Sequence, residues 1–328
     1  MSELTSGVPS PDEYLNQAAE AARQIIDQSA SAEALTPKPE TSQFVHEIST
    51  PHFIDVGEVN YGVFRLNRHL EDQDINPVVI NLAHGEEADR GAGRFDLNAF
   101  AQTLDRPLVV IDMPGMGKSK WHNARSIRNA SFDTIASDQL AILDKLEIKD
   151  FDIVGMSMGG VMSAKIAALA GARAKHLVTF FAPSFEERPV KEMVGVASPQ
   201  NQRDFHNAAE AAPEEVEDER IQAIEHKKAN VGNGRLQTIG SILKYGHLLT
   251  KAQLGQISDE LSPTTQWLDI AGTQDAFSDW KSHVQTVRTR NSLHPRTSAT
   301  HLISGETHAW QAYYRWEVAG ITAAYIAK

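Results

Sequence analysis

The stretch Asp152-Ile-Val-Gly-Met-Ser-Met-Gly-Gly-Val161 leaves few architectures open to this chain. Residues 151–154 read as a short, fully buried strand bounded by Lys149 and Asp150, and 161–172 have the spacing of a helix. Between them stands Gly155-x-Ser157-x-Gly159. A serine at the tip of so tight a strand-to-helix turn is held in a strained backbone conformation. The positions two before and two after it then have no room for a Cβ atom, which is why both are glycine. Such a turn lifts the Ser157 hydroxyl clear of the sheet and sets it at the N-terminus of the next helix, where backbone N–H groups and the helix dipole favour developing negative charge. The pattern points to a nucleophilic Ser157, with the backbone N–H of Met158 as one donor to an oxyanion. An ordinary βα loop also uses Gly-Ser-Gly, but the strand before and the helix after favour the nucleophile.

With 328 residues the chain has room for one large α/β domain carrying an insertion, or for two ordinary domains. Its 41% hydrophobic and 23% charged residues are those of a soluble globular protein. The formal net charge is -12, and Lys and Arg are scattered rather than gathered on one face, which excludes a nucleic-acid partner. The chain has no cysteine, so disulfides, thiolate catalysis and zinc–thiolate sites are excluded. Its first residues lack the basic and apolar regions of a leader, and no apolar run approaches ~20 residues. The expectation is a soluble, cytoplasmic enzyme with no membrane span.

Residues 1–42 read as an N-terminal helical arm and linker. Ser10, Pro11 and Glu13 make a capping box, and Leu15, Ala18, Ala19, Ala22, Ile25 and Ile26 fall on one helical face. Thr36-Pro-Lys-Pro-Glu40 is a stiff linker. The arm either packs on the main domain or docks a partner, and a homo-oligomer formed through the arm or through the later insertion is open to the chain. From Phe44 the period becomes two, which predicts half-buried antiparallel strands over 44–48, 52–56 and 61–66. Residues 77–83 are a continuous apolar run, as in a strand covered on both faces.

That run leads into His84-Gly85-Glu86, and the loop continues through Gly91 and Gly93. A serine hydrolase needs a second backbone N–H aimed at the oxyanion from this loop, and the main chain of Glu86 is the candidate, with His84 and Gly85 shaping the turn. Residues 107–112 form another buried strand, followed by Met113-Pro-Gly-Met-Gly-Lys-Ser119. The Gly-Lys-Ser there is not a phosphate-binding loop, because its first glycine would have to stand at 112, where the residue is Asp112. A crossover helix is predicted over 132–146, with Ile135, Leu140, Ile142, Leu143 and Leu146 inward.

After a further strand at 176–182 the character of the chain changes. Residues 184–263 hold a strongly charged run at 214–225 and an apolar helical stretch at 236–254, and read as a helical cap over the strand ends. Ile239, Ile242, Leu243, Leu248 and Leu249 are the set expected to face the substrate or the core. Strands resume at 266–271 and 297–303, separated by a helix through Trp280 and Val284, and a helix over 310–327 closes the chain.

Ser157, Asp275 and His308 each follow a predicted parallel strand, at the sheet edge where open α/β sheets place their sites. Serine is a poor nucleophile at neutral pH. Histidine can remove its proton, and a carboxylate fixes the imidazole tautomer and stabilises its charged form. Asp279, four residues beyond Asp275, is a second candidate acid but falls inside the next helix. Of the other histidines, His301 lies within a strand, His247 in the cap, and His84 in the anion-binding loop.

From about residue 43 onward the chain resembles the α/β-hydrolase-fold serine hydrolases that carry a cap. The likeness is carried by His84-Gly85, Asp112-x-Pro-Gly-x-Gly-x-Ser119, Gly155-x-Ser-x-Gly-Gly160, Gly272-x-x-Asp275 and Gly305-x-x-His308, in that order. It implies a mostly parallel twisted sheet with helices on both faces, a core made of residues 43–183 and 264–328, and a helical cap (184–263) inserted after the sixth strand. It also implies the catalytic set Ser157, Asp275 and His308, an oxyanion hole from Met158 and Glu86, and no cofactor or metal. The substrate expected is a small neutral or apolar acyl compound, most simply a carboxylic ester. Carbon–carbon bond hydrolysis, cofactor-free perhydrolysis and ligand binding without turnover remain open on the same motifs. The chain departs from many relatives at Glu86-Glu-Ala-Asp89, where smaller or apolar residues are usual.

Overall fold

The computed structural model describes residues 38–82, 87–183, 236–249, 254–275, 277, 279–308, 310 and 314–327. The arm helix expected near the N-terminus and the charged run at 214–225 lie outside the described residues.

The alternation at 44–48 was read above as a strand, but the segment is helix α1 (Ser42–Ile48). Phe44 and Ile48 are four residues apart as well as evenly spaced, so five residues fit either period. The helix is selected by its surroundings. The Thr41 hydroxyl accepts the Phe44 N–H as an N-cap, and the buried Glu47 carboxylate accepts the N–H groups of Asn67 and Arg68. Strands β1 (His52–Val56) and β2 (Val59–Leu66) then form an antiparallel pair.

Strand β3 (Val78–Asn81) is followed by helix α2 (Gly91–Thr103), so Gly91 and Gly93 open a helix rather than extend a loop. A side chain on Gly93 would strike the Glu87 carbonyl, which holds that first turn against the end of β3. Next come β4 (Leu108–Ile111), a two-residue strand β5 (Lys120–Trp121) that periodicity could not announce, α3 (Ala124–Asn129) and α4 (Phe132–Lys145). Helix α4 starts at a capping box in which Ser131 and Thr134 exchange hydrogen bonds. Strand β6 (Phe151–Met156), helix α5 (Met158–Ala170) and strand β7 (Ala174–Phe180) follow. Helix α5 begins three residues earlier than its apolar pattern suggested, directly after Ser157. The expected cap region comes after this seventh strand rather than after a sixth, because β5 adds one to the six strands that remain once 42–48 is a helix.

Helices α6 (Leu236–Leu249) and α7 (Leu254–Glu260) precede β8 (Gln266–Gly272), and α8 (Trp280–Leu293), β9 (Ser298–Ile303) and α9 (Arg315–Ile326) complete the chain. The sheet order is β1-β2-β4-β3-β6-β7-β8-β9, with β5 beside β2, and all neighbours from β4 to β9 along this path are parallel.

Period-two side chains divide the core into two layers. Val78, Ile80, Leu108, Val110, Val178, Phe180 and Ile270 pack toward α1, α2 and α9, with Phe44, Leu97, Phe100 and Ile321. Val79, Val109, Ile111, Ile153, Leu177 and Trp267 pack the other way, with Ile135 and Ile142 of α4, Val161 and Ile166 of α5, and Val287 of α8. Each such fully buried aliphatic side chain contributes roughly 1.5–3 kcal/mol relative to exposure. Tyr245, Leu249, Ile257 and Leu261 belong to this second layer.

The inward face of α6 is only in part the apolar set read from its sequence: Leu249 is buried and Leu248 packs on the second layer, while the side chains of Ile239 and Ile242 lie outside the described residues. Leu243 is 70% exposed, Leu248 is half-buried, and Ser241, Tyr245 and Leu249, spaced four apart, are the buried row. Two hydrogen bonds set that rotation: Tyr245 Oη donates to the Pro114 carbonyl at 2.5 Å, and Trp121 Nε1 donates to Ser241 Oγ at 2.8 Å. Among the described residues no helix is long and apolar enough to cross a membrane.

Candidate active site

Ser157 caps α5 with φ 53° and ψ -126°, a conformation that a residue with a Cβ atom rarely adopts. Packing on three sides enforces it. The Ser157 N–H donates to the Phe180 carbonyl of the neighbouring β7 at 2.8 Å. A Cβ on Gly155 would strike the carbonyl of Gly159, and one on Gly159 would strike the carbonyls of Asn81 and Leu82 at the end of β3. Asn81 Nδ2 also donates to Ser163 Oγ, which in turn donates to the Val154 carbonyl, so β3, β6 and α5 are tied together directly beneath the turn. Met158 is the first residue of α5, which places its N–H in the first turn at the positive end of the helix dipole.

Asp275 and His308 come from the loops after β8 and β9, which run side by side. The Thr273 N–H donates to the Ile303 carbonyl, the Gln274 N–H to the Glu306 carbonyl, and the Gly305 N–H to Thr273 Oγ1. Gly272 permits the approach, since a Cβ there would meet the Glu306 carbonyl. Ser157 Oγ lies 2.8 Å from His308 Nε2, and His308 Nδ1 lies 3.0 Å from Asp275 Oδ2. An ionised carboxylate can only accept, so Nδ1 carries the proton, Nε2 is the acceptor, and the Ser157 hydroxyl donates to it. The Asp275 side chain is fully buried and that of His308 is 9% exposed. The second Asp275 oxygen, Oδ1, accepts the Phe277 N–H at 2.7 Å.

The other acid and the other histidines stand elsewhere. Asp279 is the exposed N-cap of α8, accepting the Lys281 N–H. His301 is a half-buried residue of β9, and His247 is exposed on α6. His84, Gly85 and Glu86 lie outside the described residues, so the second oxyanion donor is not among the groups placed.

The Asp112–Ser119 loop uses its polar groups on itself. Asp112 accepts the Lys118 N–H at 2.7 Å and the Ala88 N–H at 3.0 Å, while Ser119 Oγ donates to the Asp112 carbonyl and accepts the Gly62 N–H. Burial pushes the Asp112 carboxyl up from 3.8 to about 7, against these two N–H groups, which favour the anion. Lys118 Nζ pairs with Asp89 at 2.7 Å, and Lys244 Nζ donates to the Arg128 carbonyl. Among the described residues no group of three or more His, Asp or Glu stands where it could hold a metal ion.

Sequence patterns missed the aromatic surroundings of His308. Phe277 lies 4.3 Å from the imidazole, ring centre to ring centre, with 37° between the planes, and Phe181 meets it edge-on at 6.2 Å. Phe181 itself has φ 50° and stacks on Trp310. Asp275-x-Phe277 carried a usable signal, because an aspartate often accepts the N–H two residues on. Nothing in the sequence marks a left-handed phenylalanine.

A family model described as the alpha/beta hydrolase fold matches residues 82–217. The chain is 33% identical over 96 residues to the dihydrolipoyllysine-residue acetyltransferase component of the acetoin cleaving system of Pseudomonas putida, covering 29% of this chain and 24% of that protein. It is 30% identical over 108 residues to a 3-hydroxybutyrate-oligomer hydrolase of Cupriavidus necator, covering 33% of this chain and 36% of that protein. The chain therefore spans about a quarter to a third of the length of these curated relatives. Among solved structures, the enol-lactonase from Burkholderia xenovorans LB400 superposes with a TM-score of 0.61 at 14% identity, over 84% of this chain and 100% of that one. At that identity the likeness concerns the fold.

Proposed function

Since this chain is an α/β-hydrolase-fold protein, we propose that it is a serine hydrolase acting on a small neutral or apolar acyl compound, most simply a carboxylic ester, through an acyl-enzyme on Ser157. The observation that carries the proposal is the pair of contacts on His308, with Ser157 Oγ 2.8 Å from one ring nitrogen and Asp275 Oδ2 3.0 Å from the other. Relatives named as hydrolases add support.

In this mechanism His308 Nε2 takes the Ser157 proton as Oγ attacks the carbonyl carbon, and buried Asp275 stabilises the imidazolium. The oxyanion is received by the N–H of Met158 and by that of Glu86. The imidazolium then protonates the leaving alcohol, and a water activated by the same His308 releases the acid. The neutral substrate follows from charge. Glu87 and Asp89 beside the anion-binding loop are paired with Arg90 and Lys118, so this segment offers an incoming carboxylate no spare positive charge, and the chain as a whole is at -12. Residues 184–263 are retained as a cap over this site.

A fluorophosphonate probe followed by hydrolysis of activated esters of graded acyl length tests the assignment. Ser157→Ala should lose both labelling and turnover, and Asp275→Asn, which favours the wrong imidazole tautomer, should lower kcat by about a thousandfold or more. A Ser157→Ala protein that keeps turnover within about tenfold of the parent rejects the mechanism, since a nucleophile matters by far more.

A further inference from the structure

We propose that Phe277 is the positioning residue of the His308 imidazole, holding Asp275 with its backbone and His308 with its ring. Two independent contacts meet in this one residue. Its N–H donates to Asp275 Oδ1 at 2.7 Å, which orients the carboxylate so that Oδ2 faces His308 Nδ1. Its ring lies 4.3 Å from the imidazole at 37°.

The hydrogen bonds at Nδ1 and Nε2 hold the imidazole at two points within its own plane but resist tilting out of that plane less, because the outer torsion is broad and roughly two-fold. A ring against the imidazole face narrows it. The ring also keeps water from the Asp275–His308 bond, and such a bond is stronger in a low-dielectric surrounding. Phe181, edge-on to the same imidazole at 6.2 Å, restricts it from a second direction. Phe181 is itself fixed by donating its N–H to the Ile270 carbonyl at 2.7 Å, despite a φ of 50°. Phe277 is half-buried, whereas Phe181 is fully buried in the core. Phe277 can therefore be changed with less damage to packing.

The kinetic consequence rests on the serine-hydrolase assignment above, but the positioning itself does not, so the test reads both. The full chain is compared with Phe277→Ala, Phe277→Leu and Phe277→Tyr by steady-state hydrolysis of an activated ester and by proton NMR of the low-field His308 Nδ1–H. Thermal unfolding checks that each variant folds, and if Phe277→Ala does not, the leucine and tyrosine variants carry the comparison. Phe277→Ala and Phe277→Leu should lose about 10- to 100-fold in kcat with KM changed by less than about threefold, the effect of a misplaced catalytic group. Their Nδ1–H resonance should broaden by exchange with water, and Phe277→Tyr, which keeps the ring, should restore both readouts.

A sharp resonance and parental kcat in Phe277→Ala overturn the proposal. So does an effect confined to KM, which would make the ring a substrate contact. If the resonance depends on Phe277 while Ser157→Ala leaves ester turnover intact, the hydrolase assignment falls and the positioning stands. If turnover depends on Ser157 and the Phe277 variants match the parent in both readouts, the reverse holds.

Discussion

Ser157 is held where glycine would be more comfortable, and its strain can be measured separately from its chemistry. Ser157→Ala and Ser157→Gly both delete the hydroxyl bonded to His308, but only alanine keeps a Cβ at φ 53° and ψ -126°. Ser157→Gly should therefore be the more stable of the two inactive variants by about 1 kcal/mol, since residues in such regions cost roughly 1–3 kcal/mol and glycine's extra unfolded-state entropy offsets part of the relief. Denaturant unfolding of the pair checks this, and equal stability would mean the turn stores no strain. The same residue was the most legible in the sequence, because the backbone conformation that makes it useful also dictates the glycines around it. Asp275 was less so. Two aspartates follow β8, and their roles separate only because one caps α8 while the other meets His308.

The loop between β4 and β5 shows how a motif can act without touching a substrate. Its glycines and Asp112 close it on itself, and the Asp112 carboxylate also holds the Ala88 N–H of the segment leading into α2. Helix α6 docks on the same loop through Ser241 and Tyr245. Because the folded-state value of Asp112 is raised to about 7 from 3.8, its contribution to stability is fully present below about pH 4 and is lost as the pH rises through 7. Subtracting the pH–stability curve of Asp112→Asn from that of the parent should expose this decline between pH 4 and 7, on the order of a kcal/mol or more. A flat difference would mean that the two N–H bonds cancel the cost of burying the charge. The sequence marks the loop as special by its glycines, but it shows only the Leu249 end of α6's inward face, not Ser241 and Tyr245. A buried serine and tyrosine that answer Trp121 and Pro114 look polar and therefore outward by pattern alone.

Topology brings four strand ends together. With β6, β7, β8 and β9 parallel and adjacent, Ser157, Phe181, Asp275 and His308 emerge at one edge although the chain separates them by up to 151 residues. Net charge acts over the same distances. At -12, with Lys118 and Lys244 already partnered, the molecule should disfavour an anionic acyl compound. Like charge in a partly desolvated cleft costs on the order of 1 kcal/mol, which corresponds to about fivefold in kcat/KM. A neutral ester should be preferred by that factor over a carboxylate-bearing analogue of equal size at low ionic strength, with the gap narrowing in high salt. Preference for the anionic analogue would show that a basic residue lines the pocket.

Local rules were enough wherever one residue's backbone or one element's period decides the outcome. Apolar runs at 77–83 and 107–112 become buried strands because both of their faces are covered, and Gly155 and Gly159 flank a serine because nothing larger fits. Where two patterns fit the same residues, the choice fell to partners distant in the chain. Glu47 makes 42–48 a helix by capturing N–H groups twenty residues away, Tyr245 turns α6 toward Pro114, and Phe277 reaches His308 across 31 positions. Those contacts depend on which loops the sheet order sets side by side, and periodicity along the chain holds no record of that.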